Sequence, residues 1–324
     1  MCTAVTLMTK DHYFGRTFDW EVSYGEKIAV TPRNVPLYFR QKPTLQHHLA
    51  LLGIAVVAEN TALYYDAINE AGLGMAGLNF PEHADYKEMA EGKDNITPFE
   101  LIPWILGQCK TMAEARRLLE QINLVNISFS KQYPLSPLHW ILTDGQEALT
   151  IESVREGLKI YENPVGVLTN NPPFPMQLFY LSHFMQLTRE EPRNSFAEGL
   201  SLRPYSRGMG AMGLPGDLSS ASRFVRTAFV KGNSMCGTSE GESVSQFFHV
   251  LGAAEQQRGC VQLGQDIYEV SIYTSCCNLD RGKYYYKTYD NSTVYCVDMH
   301  RENLEGRELI VYELQRETEI RYQN

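Results

Sequence analysis

The chain has 324 residues, of which 44% are hydrophobic and 21% charged, a composition typical of a globular protein with a large core. Its formal net charge of −9 argues against nucleic acid or an anionic membrane as the main partner, and an anionic substrate would need a local cationic site. The chain begins without the pattern of a secretory signal and its longest apolar stretch, residues 49–58, is too short to cross a bilayer, so we expect a cytoplasmic protein without a membrane anchor.

The first third of the chain is predicted to form strands. Short, partly alternating apolar runs predict strands over residues 3–7, 13–19, 28–31, 49–58, 62–69 and 74–80. The polar residues 9–12 join the first two runs, which should therefore pair as a hairpin. This assignment places Cys2 at the start of a strand, where its side chain would be held in place.

The rest of the chain alternates helices with strands. Capping-box patterns predict helices that begin after Thr97 and Thr111, and helical spacing predicts further helices over 174–185, 220–231 and 243–255. Strands are predicted over 138–143, 148–153, 158–161, 268–275, 284–289, 294–298 and 309–314. Such blocks predict an α+β fold in which helices cover sheets, and without a linker-like segment we expect a single domain over residues 1–324.

Several common functional motifs are absent or out of context. Residues 72–77 match GxGxxG, but they follow a turn and lead into a predicted strand, which argues against a dinucleotide site. The eight histidines lack metal-ligand spacing and are expected to be ordinary surface or core residues, and the seven cysteines, without a CxxC pair, are expected to be reduced thiols. We therefore expect neither a metal nor a cofactor.

Cys2 is the most informative residue, because removal of Met1 would leave it at the N-terminus. The α-amine, with an ordinary pKa of about 7.7–8.0, could then act as the base for the thiol of the same residue, whose ordinary pKa is about 8.5. Arg16 and Asp19, on the adjacent predicted strand, could favour the thiolate and orient the amine. Their spacing puts them on opposite faces of a regular strand, so we expect a twist or bulge there.

Five separated segments carry a family resemblance: MCTAVTL, FGRTFDWE, GLGMAGLNFP, GVLTNNP and GLPGDLSSASRFVR. In this order and spacing they closely resemble the choloylglycine hydrolase family of N-terminal nucleophile hydrolases, which includes bile salt hydrolases and penicillin V acylases. The resemblance extends to the segment KYYYKTYDN at residues 283–291 and is closest to the bile salt hydrolases of gut bacteria.

The resemblance implies a four-layer αββα sandwich of two antiparallel sheets flanked by helices, and commonly a homotetramer. It assigns catalytic roles to matched positions: Cys2, Arg16, Asp19, Asn79, Asn170 and Arg223. Asn171 and Arg226 are nearby alternatives that we rank lower. Thr17, where many relatives have Asn, and Trp20 depart from the usual pattern without changing a matched catalytic residue.

The implied reaction is hydrolysis of glycine- or taurine-conjugated bile salts through an acyl group on Cys2. The Asn170 side-chain amide and the Asn79 backbone N–H are expected to bind the oxyanion. The steroid would need an apolar cleft, for which we name candidate residues: Trp20, Tyr24, Ala58, Leu63, Phe129 and Leu135. Two alternatives remain open at this point, namely penicillin V hydrolysis and a non-enzymatic binding protein with a redox-sensitive Cys2.

Overall fold

The structure is a computed structural model that describes residues 1–324. Its strands, in chain order, are β1 (Cys2–Met8), β2 (His12–Trp20), β3 (Lys27–Thr31), β4 (Leu51–Ala58), β5 (Thr61–Asn69), β6 (Gly74–Asn79), β7 (Asp94–Ile96), β8 (Ile122–Leu124), β9 (Leu138–Thr143), β10 (Ala148–Val154), β11 (Gly157–Glu162), β12 (Val167–Leu168), β13 (Gln262–Gly264), β14 (Ile267–Tyr268), β15 (Val270–Asn278), β16 (Lys283–Thr288), β17 (Tyr295–Asp298) and β18 (Ile310–Glu313). The α-helices are α1 (Leu101–Leu106), α2 (Met112–Leu119), α3 (Phe174–Tyr180), α4 (Ser220–Asn233) and α5 (Glu240–Gly252).

Two large antiparallel sheets form the centre of the molecule. The six-stranded sheet has the order β12-β1-β2-β15-β16-β17, and the eight-stranded sheet has the order β11-β10-β9-β6-β5-β4-β3-β18. Helices α4 and α5 pack on the six-stranded sheet, and α1 packs on the eight-stranded sheet. The layers therefore run helix, sheet, sheet, helix, which confirms the predicted αββα sandwich.

Within the six-stranded sheet, β2 and β15 approach each other closely next to Arg16. The β1–β2 hairpin pairs Cys2 with Phe18 and Ala4 with Arg16, and β15 pairs along the other edge of β2. A Cβ atom on Gly15 would lie 2.1 Å from the Ser275 carbonyl oxygen, so β15 can pass this close only because residue 15 has no side chain.

Most predicted elements are present, with shifted ends. The strand predicted over 138–143 has the predicted limits, whereas the helix predicted over 174–185 ends as an α-helix at Tyr180 and continues as a 3₁₀ turn. Helix α5 begins at Glu240 and not at Ser243, because Ser239 and Glu242 form a capping box. The GxGxxG residues lead into β6, as predicted.

Strands β7, β8, β12 and β13 were not predicted; each has only two or three residues, too few for a periodic pattern. No helix in the structure combines the length and the hydrophobicity needed to cross a membrane.

Candidate active site

Cys2 lies at the first position of β1, in the interior of the six-stranded sheet. Only 3% of the residue is exposed. Residues directly opposite in an antiparallel pair share a face, so the Cys2 side chain lies on the same side as Phe18, whose ring packs 4.4 Å from that of Tyr65 on the facing sheet. The Cys2 thiol therefore lies on the face of β1 turned towards the eight-stranded sheet.

Arg16 is fully buried between the two sheets. Its Nη1 donates to the Gly77 carbonyl at 2.5 Å and to the Tyr65 carbonyl at 3.1 Å, whereas Nη2 is buried without a partner. Burial opposes its charge, but the Cys2 thiolate and the Tyr273, Asp66 and Asp19 groups outweigh burial and raise the pKa of Arg16. The guanidinium is therefore a permanent positive charge near the thiol.

Asp19 lies on the other face of β2, towards the helical layer. It accepts hydrogen bonds from Ser271 Oγ at 2.5 Å and Thr17 Oγ1 at 3.0 Å, and Arg223 Nη1 lies 4.0 Å away. Burial raises the pKa of Asp19, and the N-terminal ammonium and Arg223 act against that rise. Thr17, the departure from the usual family pattern, thus contributes a donor to this carboxylate.

The expected conflict between Arg16 and Asp19 has a simple geometric solution. The two side chains do lie on opposite faces of β2, and the irregularity in pairing occurs on the neighbouring strand, between Ser271 and Tyr273 of β15. Cys2 lies at the strand end, where charges on both faces act on it. The Arg16 and Arg223 guanidiniums each interact electrostatically with its thiolate.

Asn170 forms hydrogen bonds to both Cys2 on β1 and Asn79 on β6. It follows β12, which pairs with β1 through Leu168 opposite Ala4. Asn170 Oδ1 accepts from the Cys2 N–H at 2.8 Å, and Nδ2 donates to the Asn79 carbonyl at 2.6 Å. An amide nitrogen carries two N–H donors, so one donor of Asn170 has no protein acceptor.

Arg223, on α4, is fully buried above the same strand. Its Nη1 donates to the Cys2 carbonyl at 2.7 Å and to Thr3 Oγ1 at 2.5 Å, and its Nη2 donates to Asn170 Oδ1 at 2.7 Å. Burial lowers the pKa of Arg223, while Asp19 and the Cys2 thiolate oppose that shift.

The two lower-ranked alternatives lie elsewhere. Asn171 donates to the Pro81 carbonyl, and Arg226 donates to the carbonyls of Ala253, Pro215 and Asp217. Neither makes a hydrogen bond to Cys2.

Met1 occupies a defined place in this structure. Its amine donates to the Asp19 carbonyl at 2.7 Å, the Asp19 N–H donates to the Met1 carbonyl at 3.0 Å, and Glu269, which is buried, forms an ion pair with the amine. Burial lowers the pKa of this amine. With Met1 in place, the nitrogen of Cys2 is an amide.

The predicted cleft residues divide into separate groups. Trp20 Nε1 donates to the Tyr24 hydroxyl at 3.2 Å, which links these two beside β2. Leu63 and Phe129 line one cavity together with Arg40, whose guanidinium lies 5.1 Å from the Phe129 ring.

The other two cleft candidates do not line that cavity. Ala58 is 9% exposed at the end of β4, and Leu135 is half-buried in the segment before β9.

Some contacts at the site were not predicted from the sequence. Tyr65 supplies both a carbonyl acceptor for Arg16 and a ring against Phe18, Ser271 binds Asp19, and Thr3 binds Arg223. Tyr65 and Thr3 lie on predicted strands, but only strand pairing shows which side chains meet. No group of three or more His, Cys, Asp or Glu side chains is arranged to hold a metal ion.

The arrangement can support nucleophilic attack on a carbonyl. Two buried guanidiniums act electrostatically on the Cys2 thiol, and the Asn170 amide, which accepts from the Cys2 N–H, has a free N–H that could bind an oxygen that gains negative charge.

Comparison with known proteins identifies related amide hydrolases. A model of the family "Linear amide C-N hydrolases, choloylglycine hydrolase family" matches residues 2–312. A "Bile salt hydrolase/transferase" of Lactiplantibacillus plantarum is 55% identical over 319 residues, covering 98% of both chains, and one of Clostridium perfringens is 34% identical over the full length of both.

Solved structures are similar as well. The C2A variant of the conjugated bile acid hydrolase from Clostridium perfringens matches with a TM-score of 0.92 at 33% identity, covering 100% of both chains. Penicillin V acylase from Agrobacterium tumefaciens matches with a TM-score of 0.76 at 20% identity, covering 96% of this chain and 90% of that one, which shows a shared fold. The chain therefore belongs to the choloylglycine hydrolase family of linear amide C–N hydrolases, and it is a cysteine amidohydrolase.

Proposed function

We propose that this enzyme hydrolyses the amide bond of glycine- or taurine-conjugated bile salts through a thioester on Cys2. The observation that carries the substrate assignment is the 55% identity to a bile salt hydrolase/transferase over 98% of both chains. The contacts of Cys2 with Asn170 and Arg223 support the mechanism.

Removal of Met1 precedes the reaction. It converts the Cys2 amide nitrogen into an α-amine that can keep Asn170 Oδ1 as its acceptor, now 2.8 Å away. The amine takes the thiol proton as Cys2 Sγ attacks the carbonyl carbon of the substrate amide. Arg16 and Arg223 favour the thiolate through their positive charge.

The attack places a negative charge on the substrate carbonyl oxygen. The free N–H of Asn170 Nδ2 and the backbone N–H of Asn79 bind this oxyanion, and the loss of one such donor typically raises the barrier by about 2.7–4 kcal/mol. Asp19, anchored by Ser271 and Thr17, holds the Cys2 ammonium that forms when the thiol proton is transferred.

Collapse of the tetrahedral intermediate breaks the C–N bond. The Cys2 ammonium gives its proton to the departing nitrogen, so glycine or taurine leaves and the bile acyl group remains on sulfur as a thioester. Water then attacks the thioester carbonyl while the amine accepts a proton from that water. The C–S bond breaks, free bile acid leaves, and the ammonium returns its proton to the sulfur, which regenerates the Cys2 thiol.

The rival substrates have weaker support. Similarity to the penicillin V acylase is limited to the fold, because the identity is only 20%. Membership of a hydrolase family argues against the non-enzymatic binding protein. The six cleft residues remain candidates for the steroid contacts; Trp20 follows Asp19 in the chain and donates a hydrogen bond to Tyr24.

The central experiment combines intact mass with turnover. The purified enzyme should have lost Met1, and it should release glycine or taurine from conjugated cholate faster than it cleaves penicillin V. Acid quenching during turnover should trap a protein whose mass has increased by one bile acyl group.

Two variants control the experiment. Cys2→Ala should abolish turnover and acyl trapping, whereas Cys260→Ala, which removes an exposed thiol, should change neither. Hydrolysis by Cys2→Ala would overturn the nucleophile, and faster cleavage of penicillin V than of conjugated cholate would overturn the substrate.

We also propose a homotetramer. The segment between α3 and α4 exposes large apolar side chains that a partner subunit could cover: Met185, Phe196, Leu200, Leu202, Tyr205 and Met212. Light scattering at assay concentration should give four times the chain mass; a monomer would contradict this proposal without affecting the reaction.

A further inference from the structure

A buried histidine–glutamate pair lies behind the candidate site and has no role in the mechanism above. His139 on β9 and Glu152 on β10 are directly opposite in the β9–β10 pairing, and both are 0% exposed. His139 Nδ1 lies 3.1 Å from Glu152 Oε1, and Nε2 lies 2.9 Å from the Thr169 carbonyl.

The partners of His139 determine where its protons lie. A carbonyl can only accept, so Nε2 must carry a hydrogen that it donates to Thr169. Nδ1 faces a carboxylate oxygen that already accepts from the Phe174 N–H at 2.9 Å, so this contact holds a second hydrogen. This hydrogen bond offsets part of the free-energy cost of burying both side chains.

His139 contacts the two segments that carry the proposed oxyanion donors. Its Nε2 holds the carbonyl of Thr169, the residue before Asn170. Its ring stacks on Phe80, the residue after Asn79, with centroids 4.3 Å apart and planes 5° from parallel. Asn170 Nδ2 also donates to the Asn79 carbonyl, so the two segments are joined both directly and through His139.

Glu152 extends this support to the chain beyond Asn170. The oxygen that faces His139 also accepts from the backbone of Phe174, where α3 begins. The loop between β12 and α3, which contains Asn170, is thus held before and after the asparagine by one hydrogen-bonded pair.

We propose that His139, oriented by Glu152, is a positioning residue that sets the separation of Asn79 and Asn170. The inference rests on the proposed function, in which these two residues bind the oxyanion. A pair that served only the β9–β10 hairpin would need no contact outside it, yet each of these side chains holds a residue of the Asn79 or Asn170 segment.

The expected effect is on the transition state. Misplacement of a catalytic group by about 1 Å can reduce the rate about 100-fold, so loosening this pair should lower kcat about 10- to 100-fold. KM should change much less, because neither side chain forms a hydrogen bond or ring stack with a candidate cleft residue. Alkylation of Cys2 by iodoacetamide should keep its rate, since that reaction forms no oxyanion.

Three variants test the proposal. Glu152→Gln keeps the shape of the side chain but replaces a carboxylate oxygen with an NH₂ group. His139→Gln keeps a side-chain N–H donor, and His139→Phe keeps the ring against Phe80 but loses both ring nitrogens. His183→Gln, on the exposed 3₁₀ turn after α3, is the control. For each we would measure kcat and KM with conjugated cholate, and the rate of Cys2 alkylation from the mass of the N-terminal peptide.

The proposal requires a lower kcat in all three variants, with the alkylation rate and the control unchanged. If His139→Phe fails to fold, Glu152→Gln and His139→Gln decide the result. A normal kcat in these two, or a parallel fall of kcat and alkylation that indicates general disorder, overturns the positioning role. Absence of turnover in the unmodified enzyme overturns the proposed function together with this inference, and so the two failures are distinguishable.

Discussion

The Arg223 guanidinium donates to Asn170 Oδ1 at 2.7 Å, and this contact sets the orientation of the Asn170 amide. The same oxygen also accepts a hydrogen bond from the Cys2 N–H. Because both Arg223 and Cys2 are donors, the oxygen end of the Asn170 amide faces β1. The NH₂ end must then face Asn79. An arginine on a helix thereby determines which end of the asparagine could meet a substrate oxygen.

Replacing Arg223 with lysine should remove this control of orientation. Lysine keeps the charge but not the planar fork that reaches Cys2, Thr3 and Asn170 together. We expect kcat to fall about 10²- to 10³-fold, as after loss of an oxyanion donor.

Arg226→Lys is the matched control for this change. It lies less than one helical turn further along α4 and binds only loop carbonyls. Steady-state kinetics on both variants check the prediction, and equal losses would contradict it.

Retention of Met1 should abolish activity while the chain still folds. The structure accommodates Met1, whose amine binds the Asp19 carbonyl and pairs with Glu269, but the Cys2 nitrogen is then an amide without basicity. A variant with a lysine inserted between Met1 and Cys2 should resist methionine removal, remain folded by circular dichroism and release no amino acid.

A protease site that ends directly before Cys2 provides the complementary measurement. Cleavage should restore a free cysteine amine and, with it, turnover. Full activity in a chain whose intact mass still includes Met1 would exclude the amine as base.

Gly15→Ala should destabilise the sheet that carries Arg16. The added Cβ would meet the Ser275 carbonyl oxygen at 2.1 Å, and a backbone atom in a paired strand cannot move aside easily. We expect a loss of at least about 1–3 kcal/mol in unfolding free energy, the usual cost of an overpacked core.

Gly232→Ala is the control, because its Cβ would meet nothing within 4 Å on the exposed side of α4. This change should be neutral or stabilise the helix by about 0.5–1 kcal/mol. Urea unfolding of the two variants measures both values, and equal midpoints would contradict the close approach of β2 and β15.

Lys231 should make stability rise with pH in the alkaline range. Burial lowers the pKa of Lys231 from 10.5 to about 8, with Thr6 Oγ1 and the Val165 carbonyl as its hydrogen-bond acceptors. Between these two pKa values the unfolded lysine binds a proton that the folded one has released, so the free energy of unfolding increases with pH.

Lys231→Met should remove this component. Between pH 8 and pH 10, the urea midpoint of the unmodified enzyme should rise relative to that of Lys231→Met, because the folded lysine loses its proton at a lower pH than the unfolded one. Lys131→Met, at an exposed position, serves as the control. A difference that stays constant over this range would show that Lys231 titrates as an ordinary lysine.

The fold was largely predictable because its strands carry local signals. A short apolar run and the strong turn that follows it mark β9, and the capping residue Thr111 marks the start of α2. The two residues of β12 show no such pattern, yet their pairing with β1 brings Asn170 to Cys2. That pairing joins residues more than 160 positions apart, and no local property of the chain encodes it.

In the candidate site, too, the residues could be predicted from the sequence but their contacts could not. The family resemblance indicated Cys2, Asn170 and Arg223 together, but not that Arg223 and Cys2 donate to the same oxygen of Asn170. His139 was grouped with the ordinary surface and core histidines, since its contacts with Phe80 and Thr169 depend on how two strand ends meet.

The contacts of Met1 also bear on the order of events during synthesis. Its backbone forms a reciprocal pair of hydrogen bonds with Asp19, which extends the hairpin by one residue, and its amine forms an ion pair with the buried Glu269. An aminopeptidase needs an extended, accessible end, so we expect it to act while the nascent chain is still emerging from the ribosome. If Met1 is removed more slowly than the hairpin closes, a fraction of the molecules would then be folded but permanently inactive.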